Sequence, residues 1–160
     1  MDLARFKEVA AGRSAENKRF LQSVRKLDVR KVDEAFHHQH EEVFAETSCL
    51  DCANCCRTTS PIFYQNDIER LARFFRIRPG EFIKKYLQID DDNDYILTSS
   101  PCPFLGIDNH CAVYDDRPKA CREYPHTHRR KMVQVMDLTH RNTLVCPAVL
   151  EIVERLKKIL

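Results

Sequence analysis

The chain has 160 residues, 43% of them hydrophobic and 31% charged, with a formal net charge of +2. That balance excludes a wholly disordered chain, and no apolar run approaches the roughly 20 residues that a membrane helix needs. The small positive charge gives no reason to expect a nucleic-acid partner.

Only 3 glycines are present, which favours helices over a many-turned β-fold. The first residues, Met1 to Glu8, carry charges of both signs and no apolar core of a secretory signal, so a cytoplasmic location is expected. Leu3, Phe6, Val9 and Ala10, then Phe20, Leu21, Val24 and Leu27, recur at helical spacing. Gly12 and Ser14 are candidate interruptions, with Ser14 a candidate N-cap. Asp28 is the expected N-cap of a second helix with Val29, Val32, Phe36 and Val43 on its apolar stripe. Together these predict an N-terminal helical hairpin over residues 1–45, a surface on which a protein partner can dock.

Residues 46–160 read as a second unit, a cysteine-cluster metal-binding domain with a C-terminal helix. Pro61 to Tyr64 predicts a short strand. Asn66 or Asp67 is a candidate cap for a helix through Ile68, Leu71, Ala72 and Phe75. Pro79 suits the first turn of the next helix, which carries Phe82, Ile83, Tyr86 and Leu87. The run Asp90 to Asp94 reads as a solvated acidic loop, because the glycine and closing glutamate of an EF-hand are missing. Tyr95 to Thr98 predicts a strand, and Phe104 to Ile107 with Cys111 to Tyr114 a hairpin about Asp108-Asn109. Met132 to Met136 is a short apolar stretch with alternation. A last helix starts near Cys146-Pro147, with Val149, Ile152, Val153, Leu156 and Ile159 on one face. The expected fold is mostly α with a few short β-strands.

The 8 cysteines dominate the chemistry. Cys49, Cys52, Cys55 and Cys56 form two interlocked Cys-x2-Cys units ending in a vicinal pair. Such spacing lets one tight turn aim two thiolates at one ion while backbone N–H groups bond to the sulfurs. Cys102, Cys111, Cys121 and Cys146 lie beside prolines or at the edges of apolar segments, and read as further ligands that tie distant segments together. In a reducing compartment, clustered thiols hold metal more often than they form disulfides.

The run Cys-x2-Cys-x2-Cys-Cys, then Cys102-Pro-Phe-Leu, Cys111-x-Val-Tyr and Arg117-Pro-x2-Cys121-Arg-x-Tyr-Pro resembles the YkgJ-type cysteine cluster proteins. The resemblance covers about residues 46–147 and implies a zinc- or iron-chelating domain. It assigns no reaction. Flagellin lysine methylases look related in their cysteine motif, but this chain has no evident Gly-rich nucleotide-binding segment.

Eight thiols divide into two four-thiolate zinc sites without remainder, so two zinc ions in a structural role are the expected cofactor. The alternative is a [4Fe–4S] cluster with a redox or transferase-type role. Bacterial ferredoxins use a Cys-x2-Cys-x2-Cys run plus a remote Cys-Pro, here Cys49, Cys52 and Cys55 with Cys102 or Cys146. Arg117 and Arg122 flank Cys121 and can offset thiolate charge. His37, His38 and His40 read chiefly as a polar helix face, with a second metal site as the sharper alternative. His110 and His126 are alternatives for one thiolate.

Overall fold

The computed structural model of the chain describes residues 2–160. In chain order its helices are α1 (Leu3–Val24), α2 (Val29–Glu46), α3 (Asn54–Thr58), α4 (Gln65–Phe74), α5 (Pro79–Tyr86), α6 (Lys119–Glu123), α7 (Met136–Thr143) and α8 (Pro147–Leu156). The strands β1 (Leu87–Ile89) and β2 (Tyr95–Leu97) lie between α5 and α6. The described residues are thus mostly α with one two-stranded antiparallel sheet, as the composition predicts. No helix among them is long and apolar enough to cross a membrane. The chain divides into two compact units, residues 1–52 with 125–160, and residues 53–124.

The first unit is helical. Asp2 caps α1 by accepting the Ala4 and Arg5 N–H groups. Its helix then runs unbroken through Gly12, where nothing lies within contact of an added Cβ. Ser14 is therefore no cap: its hydroxyl meets His140 Nε2 at 3.0 Å instead. Asp28 does cap α2, accepting from the Lys31 N–H at 3.0 Å. α1 packs on α7, and α2 on α8. Leu21, Val24, Val32, Phe36, Val43, Met132, Met136, Ile152, Val153 and Leu156 form one buried apolar cluster from these four helices and the turn before α7. The apolar faces of α1 and α2 are thus largely covered by the C-terminal helices.

Further expectations fail in this unit. Residues Met132–Val135 form a 3-10 turn that feeds into α7, not an extended segment. α7 itself has no clear sequence signal, since Met-Asp-Leu-Thr-His-Arg-Asn-Thr is mostly polar. It exists because Met136, Thr139, Asn142 and Thr143 are buried along one face. α8 begins at Pro147 as expected, but ends before Ile159, which is exposed.

The second unit is built on Phe63, Ile68, Leu71, Ala72, Phe82, Leu87, Leu97, Phe104 and Val113. Phe75, Phe82, Tyr86 and Phe104 pack ring against ring, with centroids 5.0–6.3 Å apart. Asp67 sits inside the first turn of α4 rather than before it, and accepts the Tyr64 N–H at 3.1 Å. Pro79 opens α5 as predicted. Leu87 leaves the helix to pair with Leu97, so the acidic run closes a hairpin. Asp90 accepts the Asp92 and Asp94 N–H groups there, which gives its carboxylate a turn-closing role. The Pro61–Tyr64 strand shrinks to one bridge, Phe63 with Tyr95, and the Phe104–Tyr114 hairpin to one bridge, Leu105 with Cys111.

Candidate metal centre

No disulfide joins any of the eight cysteines; Cys49 is exposed and the other seven are partly buried. They fall on both units. In the second unit the charges of Cys56, Cys102 and Cys111 act on Cys121, those of Cys56 and Cys111 on Cys102, and that of Cys56 on Cys111. Local structure explains how. Ala53 takes a left-handed backbone (φ 46°), which starts α3 and carries Cys55 and Cys56 into it. The Cys102 N–H donates to the Cys56 carbonyl at 2.8 Å and joins the two segments. Cys102 and Cys111 then stand on the two arms of the turn closed by Gly106 N–H to His110 O at 2.7 Å. A Cβ on Gly106 would lie 2.6 Å from Asp108 Oδ1 and 3.2 Å from the His110 carbonyl oxygen, so a side chain there would displace the Asp108 carboxylate. Cys121 lies in the middle of α6.

The sulfurs of this group are prepared for negative charge on one side and starved of solvent on the other. The Phe104 and Leu105 N–H groups act on the Cys102 thiol, and the Val113 N–H on that of Cys111, each lowering its pKa. These contacts favour thiolates. Burial outweighs them: it pushes Cys121 up to about 12 and Cys102 up to about 11, and raises Cys111. Cys56 moves the other way, to about 7, chiefly through its bond with Cys55, whose sulfur is 3.9 Å away, helped by Arg117 and Arg57.

Arg117 is the cation of this group. It stacks 3.5 Å over the Tyr114 ring, and its charge acts on Cys56, Cys111 and Cys121. Its Nε is buried without a hydrogen-bond partner, a donor suited to a thiolate acceptor. Arg122, the other candidate, is exposed on α6. His110 is directed at Asp108, with Nδ1 3.2 Å from its carboxylate, and its side chain is 64% exposed.

The first unit holds Cys49, Cys52 and Cys146, whose charges interact. Cys49 opens a single 3-10 turn, and the Cys52 N–H closes it on the Cys49 carbonyl. Cys146 immediately precedes α8, where the Val149 and Ala148 N–H groups face its sulfur, while burial pushes its thiol up to about 11. Its position is held by the Cys146 N–H donating to Asn142 O at 2.8 Å, and by Asn142 Nδ2 donating to Pro125 O.

One anchor was not anticipated from sequence. The Asp67 carboxylate, almost fully buried, accepts from Arg70 Nη2 at 2.7 Å and from the Lys119 N–H at 3.1 Å. Arg70 in turn donates to the Asp116 and Arg117 carbonyls. α4 thereby fixes the segment that carries Arg117 and Cys121. The spacing of Asp67 and Arg70 on one helix was the only available sign.

Among the described residues no three Cys, His, Asp or Glu side chains already stand in a ligating arrangement. The donor chemistry nevertheless fits a thiophilic ion: four neighbouring thiols, N–H groups aimed at sulfur and an orphaned buried guanidinium N–H. The sequence model of one family, described as CxxCxxCC, putative zinc- or iron-chelating domain, matches residues 48–147. No curated protein and no solved structure matches the chain.

Proposed function

Because the chain belongs to the CxxCxxCC family of zinc- or iron-chelating domains, we propose that its resident metal is zinc, held by thiolates in a structural role. The observation that carries this reading is the gathering of Cys56, Cys102, Cys111 and Cys121 in one unit from segments 65 residues apart. Four thiols satisfy the tetrahedral preference of zinc and leave no open position for substrate. Four thiolates beside one ion carry net −2, which Arg117 partly offsets. The ion would cross-link α3, the Cys102–Cys111 turn and α6. A second ion is proposed for Cys49, Cys52 and Cys146; the eighth thiol, Cys55, stands one Cys-x2-Cys step beyond Cys52 in the sequence.

A second reading has its own support. Cys49, Cys52 and Cys146-Pro147, three of the four ligands in a Cys-x2-Cys-x2-Cys run with a remote Cys-Pro as in bacterial ferredoxins, fall in one unit. Elemental analysis and an absorption spectrum of protein purified without oxygen separate the two. Zinc in a colourless protein is expected. A brown protein with about four irons and four sulfides per cluster overturns the zinc reading and favours electron transfer or cluster-dependent chemistry. Zinc found only after aerobic purification does not count, because it can fill thiolates vacated by a degraded cluster.

A further inference from the structure

Apart from its cysteines, the first unit contains a cluster of imidazoles that the thiol chemistry does not use. His37 and His40 lie three residues apart on α2, and His128 comes from the segment before the 3-10 turn. The His128 ring centroid is 4.6 Å from that of His37 and 5.1 Å from that of His40. Three rings that each bind one ion at about 2.0–2.1 Å place their centroids about 4.5–5.2 Å apart, for angles from a right angle to tetrahedral. Both separations from the His128 ring fall in that window.

The hydrogen bonds set the rings for the same purpose. His37 Nε2 meets the Arg129 carbonyl oxygen at 2.9 Å. A carbonyl only accepts, so Nε2 carries the hydrogen and the lone pair of the neutral ring is on Nδ1. His40 Nδ1 meets the Thr127 hydroxyl at 2.8 Å, and Thr127 is fully buried. A hydroxyl can accept from Nδ1–H, and in that tautomer His40 Nε2 holds the lone pair. His128 Nε2 lies 3.9 Å from the Glu41 carboxylate, beyond hydrogen-bond distance, so this ring can offer either nitrogen to a ligand. Metal-bound histidines characteristically donate their second N–H to a carbonyl, hydroxyl or carboxylate in this way. Burial and the neighbouring His128 lower the pKa of His40, which favours its neutral ring.

We propose that His37, His40 and His128 form a binding site for a divalent, imidazole-preferring transition ion of the nickel, copper or zinc class, with Glu41 beside it to balance charge. The rings do not yet converge on one point, so binding requires rotation about their side-chain bonds. His128, whose side chain is 56% exposed, is free to make the largest turn. Such a site is exchangeable and separate from the thiolates.

The test uses the full chain in its as-isolated, metal-loaded form, titrated with Ni²⁺. One Ni²⁺ per chain is expected, without zinc or iron release and without the intense near-ultraviolet bands of thiolate-bound nickel. His128→Gln and His40→Gln should each weaken binding by about tenfold or more. His38→Ala should leave it unchanged, since His38 lies on the same helix but pairs with Gln39 and Glu42. His128→Gln alters an exposed side chain, so it reports even if His40→Gln fails to fold. Binding within twofold of the parent for His128→Gln, nickel arriving with thiolate bands or displaced metal, or no nickel bound would each overturn the proposal.

Discussion

Replacing Asp67 by Ala should separate the anchor of the candidate metal centre from the thiols themselves. The Asp67 side chain is 3% exposed and that of Arg70 23%, so the pair is largely withdrawn from water. The carboxylate accepts from Arg70 Nη2, the Lys119 N–H and the Tyr64 N–H, at 2.7, 3.1 and 3.1 Å. Its loss strands a guanidinium and two backbone donors. Removing one partner of a buried pair costs about 3–5 kcal/mol, because the other charge is left uncompensated. Arg70 keeps its two carbonyl acceptors and some solvent, which places the expectation near the lower figure. About 3 kcal/mol lowers the folded-to-unfolded ratio by roughly two orders of magnitude. Denaturant unfolding measures that cost directly. Competition with a chromogenic chelator should in parallel show faster metal loss, since α6 is no longer held at its start. Unfolding within about 1 kcal/mol of the parent would refute the assigned role of Asp67.

Metal removal should cost the second unit more than the first, since α1, α2, α7 and α8 share an apolar core of their own. Chelator titration followed by circular dichroism should retain most helical signal, and unchanged thermal unfolding after full metal loss would contradict a structural ion. The metal-free protein should lose stability as pH rises from about 9 through about 11 and 12, because burial raises the thiols of Cys102, Cys146 and Cys121 above their unfolded value. The neutral forms are stable below that window, and Cys121→Ala should flatten the dependence in pH-dependent denaturant midpoints. Asn17 is fully buried on α1 with neither side-chain polar atom bonded, so Asn17→Leu should raise unfolding stability by about 1–2 kcal/mol. A loss of stability in that variant would mean the amide has a partner.

Local chemistry was legible wherever one residue decides the backbone. Asp28 before α2, Pro79 at the start of α5 and Pro147 at the start of α8 act through their own caps or fixed φ, so the sequence sufficed for those starts. The eight thiols and the family were legible for the same reason: ligand type and short spacing are properties of the chain itself. Elements whose reason for existing lies elsewhere were not. α7 is a polar octapeptide made helical by what covers Met136 and Thr139, and α1 passes through Gly12 because neighbouring turns carry it. Only the tertiary structure decided which thiols are neighbours. Cys121 joins Cys56 because α4, through Asp67 and Arg70, holds the segment before α6, and Cys146 joins Cys49 and Cys52 because α8 packs on α2. His128 stands against His37 and His40 for the same kind of reason, a contact across some 90 residues of chain that no local pattern encodes.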